Sequence, residues 1–311
     1  MSSLPATGAF LGERSLALVG AGNIGKLLAT QLTEAGFPTS RLVISCRGTP
    51  TTIEALTGMG FGACIQPTET AVRDAKVVFI SVRAQELPTL RGMPFCKDAL
   101  IVVMTTGISF AALQAVTGVD QANIIRAQTC GHHIIEARRA IVAMCPRDDP
   151  VTSELFGAMK YSVLPPIRTE PQVHMLSCLI CTPAARVCLK TMQQDVTREE
   201  AERFIQAFST EPLDCLGHVL EWSMRESEPL LWHEGRGDVA SYVNGFFTKG
   251  GLTEAVCLTI LGGMQPATPQ GYSQVCLAFH HSLPRISAFL TQRVSCRVAT
   301  LQALPRPWTD A

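Results

Sequence analysis

Short apolar runs alternate with helix-length segments in the first half of the chain, from Leu16 to about Leu164. Runs of this kind between amphipathic segments are typical of βαβ units, in which buried parallel strands are covered by helices on both faces. The pattern therefore predicts a parallel sheet. The predicted strands are 16–19, 42–45, 77–80, 101–104, 124–125 and 141–144.

The pattern changes near Pro165 and Pro166, beyond which helical segments dominate. Thr-Glu-Pro-Gln at 169–172 and Thr-Arg-Glu-Glu at 197–200 both have the form of a capping box, which marks the start of a helix. We therefore expect a mostly helical second half. The predicted divisions are an extension at 1–14, an α/β domain at 15–165, a helical domain at 166–300 and a tail at 301–311.

One segment, 99–116, carries no charged residue and is nearly long enough to cross a membrane. Its β-branched block at 101–103 is followed by Thr-Thr-Gly, which is a turn signal, and then by Ser109 at the start of a helical pattern. This order favours a buried strand that leads into a helix.

Composition narrows the classes of function. The chain has 26 basic and 26 acidic residues, so no long-range attraction to nucleic acid or to an acidic membrane surface is expected. Its 12 cysteines are scattered and its first residues do not form a signal peptide. We therefore expect free thiols, a cytoplasmic protein and a small-molecule substrate.

The most informative motif follows the first predicted strand directly. It reads Gly-Ala-Gly-Asn-Ile-Gly at 20–25 and continues into a periodic helix. Glycines in this context permit a tight turn and close approach of the backbone to a diphosphate, although glycine-rich turns also occur for backbone reasons alone. The predicted fold is an N-terminal Rossmann-type parallel sheet followed by an all-helical domain. The predicted cofactor contacts at this turn are Gly20, Gly22, Asn23, Ile24 and Gly25.

The end of the second predicted strand bears on which cofactor is bound. A site specific for NAD places a carboxylate here, whereas this chain reads Ser-Cys-Arg-Gly-Thr at 45–49. Arg47 matches the charge and geometry of a 2′-phosphate, and the hydroxyls of Ser45 and Thr49 add donors. We therefore predict NADP as the cofactor, with Arg47 as an ordinary solvated loop residue as the alternative.

Four motifs resemble those of the pyrroline-5-carboxylate reductase family, over a span from about Leu16 to Leu290. Besides the glycine turn, Val-Arg-Ala-Gln at 82–85 resembles the family's Val-Lys-Pro-Gln, and Thr-Thr-Gly-Ile at 105–108 resembles its Ala-Gly-Ile turn. The segment 248–254, Thr-Lys-Gly-Gly-Leu-Thr-Glu, resembles its Ser-Pro-Gly-Gly-Thr-Thr loop. The resemblance adds Val82 and Thr106 to the expected cofactor contacts.

The resemblance also implies a reaction, which is hydride transfer from the reduced cofactor to the carbon of a cyclic imine acid. Backbone amides of the 248–254 loop would bind the carboxylate, and Thr253 would act at the substrate nitrogen. The resemblance further implies a homodimer or larger homo-oligomer formed through the helical domain. The expected substrate contacts are Lys249, Gly250, Gly251, Leu252 and Thr253, although an interhelical turn is the alternative for the two glycines.

Several positions depart from the family pattern. Where the family has Arg-x-Met-Pro-Asn-Thr-Pro, this chain has Arg126 but places Cys130 at the asparagine position. His132, in the same segment, is a candidate proton donor, and a surface histidine is the alternative. Two other functions therefore stay open: reduction of a different imine or carbonyl compound, and a non-catalytic NADP-binding role.

A possible metal site is also weighed and set aside. His174, Cys178 and Cys181 would share one face of a helix. Three such residues on an apolar helix are more often part of a core, so we predict no metal.

Overall fold

The computed structural model describes residues 15–180 and, within 214–226, all residues except 216, 220 and 224. The predicted extension at 1–14, the capping box at 197–200, most of the helical domain and the tail lie outside these residues. The domain boundaries therefore stay predictions.

Seven strands form one sheet in the order β2-β1-β3-β4-β5-β6-β7. The first five strands in chain order are parallel to one another. The first three lie at the positions that the apolar runs predict. The predicted α/β fold with an N-terminal Rossmann-type sheet is confirmed. The strands are β1 (Leu16–Val19), β2 (Leu42–Ser45), β3 (Val77–Ile80), β4 (Leu100–Val103), β5 (Ile124–Thr129), β6 (Ile141–Cys145) and β7 (Ser162–Val163).

The predicted parallel sheet holds for β1 to β5, whereas β6 does not run in the parallel direction predicted for it. β6 pairs with β5 in the antiparallel direction, and β7 is parallel to β6. Only residues 130–140 connect β5 to β6, and they include a single short helix. A parallel return needs a crossover of a dozen or more residues, so the chain turns back instead.

Helices cover both faces of the sheet, as the alternating pattern predicts. Leu16 and Leu18 of β1 belong to one buried cluster, whereas Ala17 and Val19 belong to a second cluster on the opposite face. The helices are α1 (Asn23–Glu34), α2 (Pro50–Gly58), α3 (Thr68–Asp74), α4 (Phe110–Thr117), α5 (His132–Glu136), α6 (Pro150–Ala158) and α7 (Glu170–Leu179).

The uncharged segment 99–116 forms β4 and most of α4, as predicted. The hydroxyl of Ser109 caps α4 by accepting a hydrogen bond of 3.1 Å from the amide of Ala112. Among the helices that the structure describes, none combines the length and the apolar character that a membrane crossing requires.

The capping box at the start of α7 is also confirmed. The amide of Gln172 donates to the hydroxyl of Thr169 at 3.4 Å, and the amide of Thr169 donates to Oε1 of Gln172 at 3.1 Å. This reciprocal arrangement begins the first helix beyond the sheet, at the change of pattern seen in the sequence.

A second helical segment, within 214–226, packs against the sheet domain. The indole N–H of Trp222 donates to the carbonyl oxygen of Arg139 at 2.9 Å. Nε of Arg139 lies 3.3 Å from a carboxylate oxygen of the buried Glu226. This segment is therefore joined to the connection between α5 and β6.

Candidate dinucleotide-binding site

The loops at the carboxyl ends of β1 to β4 are tied together by hydrogen bonds. The amide of Gly20 donates to the carbonyl oxygen of Ser45 at 2.9 Å, which joins β1 to β2. The hydroxyl of Ser81 donates to the carbonyl oxygen of Gly20 at 3.0 Å. The hydroxyl of Thr105 donates to the carbonyl oxygen of Val82 at 2.7 Å. The four strand ends thus form one continuous edge, where ligands of open α/β sheets bind.

Two glycines of the 20–25 turn are required by the fold. Gly20 has a φ of +107°, and a Cβ atom there would lie 2.9 Å from the amide nitrogen of Val82. A Cβ atom on Gly25 would overlap the carbonyl oxygen of Gly20. These residues therefore allow the tight turn and the close packing of α1 on β1.

The middle glycine is different, because packing does not require it. Gly22 is exposed, has a φ of −71°, and a Cβ atom there would meet nothing within 4 Å. The fold alone would accept any small residue at this position. An open glycine beside a helix N-terminus is what a closely approaching diphosphate needs.

Helix α1 offers an uncapped N-terminus at this turn. Gly22 is its N-cap, no side chain bonds to its first turn, and that turn contains no acidic residue. Asn23 is exposed and Ile24 is half-buried. Amides of a first helical turn have no carbonyl partner within the helix, and the helix dipole is positive there. The arrangement is suited to a phosphate group.

The loop after β2 presents a cation at the same edge. The side chain of Arg47 is 77% exposed, and its Nη1 lies 2.9 Å from a carboxylate oxygen of Glu86. Thr49 is exposed at the N-cap of α2, and its hydroxyl donates to that of Thr52 at 2.8 Å. Arg47 and Thr49 therefore lie together in one exposed loop.

Ser45 does not share that exposed position. It is only 1% exposed, and its hydroxyl is hydrogen-bonded to that of Thr68. The sequence could not reveal this, because a strand-end serine is as often exposed as buried. Its clearest role in the structure is the backbone bond to Gly20 described above.

The two contacts that the family resemblance adds lie on the adjacent loops. Val82 is half-buried after β3, directly beside Gly20. Thr106 is half-buried after β4, next to the residue that bonds to Val82. Both lie on the side of β1 that is opposite to Arg47, because β3 and β4 follow β1 in the sheet.

A buried arginine lies one strand further along the same edge. Arg126 of β5 is 2% exposed, and none of its three guanidinium nitrogens has a hydrogen-bond partner in the part of the chain described. Burial lowers the pKa of Arg126 to about 10, against the opposing effects of Glu170 and Cys145. In the sequence Arg126 stands out only as part of a motif, and its burial in the structure is what distinguishes it from an ordinary charged residue.

Cys130 and His132 follow β5 at the same edge. Cys130 is 4% exposed, and burial raises the pKa of its thiol to about 11, so the thiol is protonated at neutral pH. His132 is half-buried at the first position of α5. Its role as a proton donor stays a prediction.

The expected substrate loop, Lys249 to Thr253, lies outside the described residues, as does the position of Cys181. The side chains of His174 and Cys178 are likewise not described. Within the described part of the chain, no group of three or more potential metal-ligating side chains is found.

Residues 15–104 match the family model described as "NADP oxidoreductase coenzyme F420-dependent". No curated protein sequence matches the chain.

Several solved structures are similar to the chain at low sequence identity. A pyrroline-5-carboxylate reductase from Coxiella burnetii is 14% identical, with a TM-score of 0.48 and coverage of 94% of this chain and 98% of that chain. A pyrroline carboxylate reductase from Plasmodium falciparum, solved with NADP bound, is 12% identical, with a TM-score of 0.44 and coverage of 93% and 97%. A Mycobacterium tuberculosis 3-hydroxyisobutyrate dehydrogenase is 13% identical, with a TM-score of 0.48 and coverage of 93% and 99%.

The family match begins at the residue before β1 and ends at the residue after β4, so it spans the four strand ends that build this edge. Residues 15–104 are therefore similar to a domain of NADP-dependent oxidoreductases.

Proposed function

We propose that the protein is an NADPH-dependent reductase of a small cyclic imine that bears a carboxylate, such as pyrroline-5-carboxylate. The observation that carries the proposal is the open Gly22 at the uncapped N-terminus of α1. Backbone amides and the positive end of the helix dipole form a donor set that fits a diphosphate. A side chain at Gly22 would meet no protein atom within 4 Å, but it would occupy space that a bound diphosphate needs.

The order of the strands gives the cofactor a direction along the edge. Arg47 on the loop after β2 would bind the 2′-phosphate, and the turn after β1 would bind the diphosphate. The nicotinamide end then extends toward Val82 and Thr106, on the loops after β3 and β4. Bound NADPH would supply the hydride. The residues of the chain would bind the cofactor, orient the acceptor and protonate the imine nitrogen.

The acceptor side of the proposal rests on residues of the family resemblance. The amides of Gly250 and Gly251, with the charge of Lys249, would hold the carboxylate of the imine acid. Thr253 or His132 would donate the proton to the imine nitrogen as its carbon accepts the hydride. These roles are proposals, because nothing in the described residues brings this loop to the edge.

One observation favours a second candidate, which is reduction of a different acceptor. Cys130 places a buried, neutral thiol where the family has an asparagine, so a contact near the reacting groups differs. A different imine, a carbonyl compound or, from the family description, coenzyme F420 would then be the acceptor. A protein that binds NADPH without turning over any of them would have a non-catalytic role.

The cofactor assignment is tested by the affinities of NADPH and NADH for the native protein, Arg47→Ala and Arg73→Ala. Arg73 is the matched control, because it too is an exposed arginine in an ion pair, 2.9 Å from Glu69. Loss of one charge-assisted contact should weaken NADPH binding about 10- to 100-fold in Arg47→Ala and leave NADH binding unchanged. Equal weakening of both cofactors would contradict the assignment.

The reaction is tested by NADPH oxidation with a panel of acceptors. The panel holds pyrroline-5-carboxylate, a cyclic imine without a carboxylate, small ketones and oxidised coenzyme F420. We expect the highest kcat/KM for the imine acid. Oxidation with another member alone would support the second candidate, and saturable NADPH binding without any oxidation would support the non-catalytic role.

A further inference from the structure

The position of Arg126 places it beside the reacting end of the proposed cofactor site. The register of the parallel strands aligns Ser45, Val19, Ile80, Val103 and Arg126 in one row across the sheet. The first four are the last residues of their strands, so the arginine stands level with the edge where the cofactor loops begin. It lies on the far side of β4 from the 2′-phosphate loop.

The guanidinium of Arg126 is buried without hydrogen-bond partners among the described residues. Arg126 is 2% exposed, and Nε, Nη1 and Nη2 all lack a partner in the described parts of the chain. A guanidinium has no other way to compensate the loss of water than charged or polar contacts. A planar set of donors in this state is suited to a carboxylate, which accepts two parallel hydrogen bonds.

The neighbours of Arg126 balance its charge without filling its donors. Its Cζ lies 6.0 Å from the centre of the Phe110 ring. Glu170 acts on it electrostatically and raises its pKa, but the carboxylate of Glu170 accepts its hydrogen bond from the amide of Phe110, in the first turn of α4. The positive end of that helix stabilises Glu170 where it is. The arginine is thereby kept charged, while its three nitrogens stay without a hydrogen-bond partner among the described residues.

We propose that Arg126 binds the carboxylate of the acceptor substrate through a bidentate ion pair. This inference rests on the proposed function, since it adds a residue of β5 to the Gly250 and Gly251 amides and Lys249 that would hold the same carboxylate. It makes Arg126 a specificity-determining residue, which selects acceptors that carry a carboxylate on the ring carbon bonded to the imine nitrogen. No covalent step is assigned to it.

The test compares ligands that differ only in the carboxylate. Proline and prolinamide are titrated by calorimetry into the native protein, Arg126→Lys and Arg126→Met, each with and without NADP+. We expect the native protein to bind proline at least ~10-fold more tightly than prolinamide, since ion-pair hydrogen bonds carry the difference. Arg126→Met should lose most of this preference, and Arg126→Lys should keep a larger part of it, because lysine retains the charge but not the fork.

A second measurement separates this role from a structural one. Thermal unfolding of the ligand-free Arg126→Met variant should occur at a higher temperature than that of the native protein, because a buried guanidinium without a hydrogen-bond partner among the described residues is replaced by an apolar side chain of similar length. A merely structural arginine would give a lower temperature. NADPH affinity should be the same in all three proteins, which shows that the variants keep the cofactor site.

The outcomes distinguish this inference from the proposed function. A native protein without preference for proline, or an Arg126→Met variant that keeps the preference, would overturn the assignment. Absence of NADPH oxidation with any imine acid, together with an Arg126-dependent preference for proline, would overturn the proposed reaction and leave the carboxylate site standing.

Discussion

At the scale of single residues, the three glycines of the 20–25 turn are present for different physical reasons. Gly20 and Gly25 are required by backbone conformation and by packing of α1 against β1, so any protein with this turn needs them. Gly22 has open space around its Cα and an ordinary φ. If the motif served only to form a turn, Gly20 and Gly25 would be explained but Gly22 would not.

Two buried thiols make a residue-scale prediction about alkaline stability. Burial raises the pKa values of Cys130 and Cys145 from 9.0 to about 11. Between these values the folded protein keeps both protons, whereas the unfolded chain releases them. These two thiols should therefore not affect the free energy of unfolding below pH 9. As the pH rises from 9 to 11, that free energy should fall by about 2 to 3 kcal/mol through Cys130 and by a smaller amount through Cys145.

Urea denaturation of the native protein and of Cys130→Ala at pH 8, 9, 10 and 11 measures this effect. The variant should lose less stability than the native protein between pH 9 and 11, by the share of one thiol. Parallel curves for the two proteins over that interval would show that Cys130 does not hold its proton in the folded state.

At the scale of elements, the agreement between sequence and structure follows local patterning. β1, β2 and β3 begin and end where the apolar runs do, because each is buried on both faces and bounded by polar turns. β5 extends to Thr129, four residues beyond the predicted end at Ile125. The prediction was too short because the buried polar residues Arg126 and Gln128 interrupt the apolar pattern. β7 has only two exposed residues and therefore no apolar signal.

The direction of β6 illustrates what local patterning cannot contain. Its apolar residues are buried like those of a parallel strand, and their pattern is the same in either direction. Direction is determined by the length of the connection from β5, which lets the chain turn back but not cross over. The position of β6 was therefore predictable from the sequence pattern, whereas its direction was not.

The capping box of α7 gives a prediction at this scale. Thr169→Ala removes the hydroxyl that accepts from the amide of Gln172, and Gln172→Ala removes the oxygen that accepts from the amide of Thr169. Each change should lower the free energy of unfolding by about 1 kcal/mol, measured in urea. Unchanged stability in both variants would show that the box does not contribute in solution.

At the scale of the whole molecule, the proposed site has two halves. The residues of the cofactor half can be predicted from sequence motifs, whereas those of the acceptor half cannot. The cofactor half is built from short loops that directly follow consecutive strands, so its residues are close in both sequence and space. The proposed acceptor half rests on Arg126 of β5 and Glu170 of α7, which are far apart in sequence, and on the predicted 249–253 loop, which lies outside the described residues. Only burial revealed that Arg126 differs from an ordinary charged residue.

The contact between the 214–226 segment and the sheet domain is a prediction about the whole molecule. Trp222→Phe keeps an aromatic ring in the core but removes the N–H that donates to the carbonyl oxygen of Arg139. We expect a loss of about 1 to 3 kcal/mol in the free energy of unfolding, because the acceptor is left without its partner. A loss below about 0.5 kcal/mol, within the range of ordinary surface substitutions, would contradict the contact.

The most direct test of the account measures NADPH binding by Gly22→Ala, with two controls. Gly157→Ala on α6 is matched, because a Cβ atom there also meets nothing within 4 Å, and Gly25→Ala is the variant whose Cβ would overlap backbone. Gly22→Ala should unfold at a temperature close to or slightly below that of the native protein, because alanine is a poorer N-cap, and should bind NADPH at least ~10-fold more weakly. Gly157→Ala should keep the native NADPH affinity and unfold at the same or a slightly higher temperature, because alanine favours a helix. Gly25→Ala should unfold at a lower temperature. Native-like NADPH affinity in a folded Gly22→Ala protein would contradict the claim that this turn binds the cofactor's diphosphate.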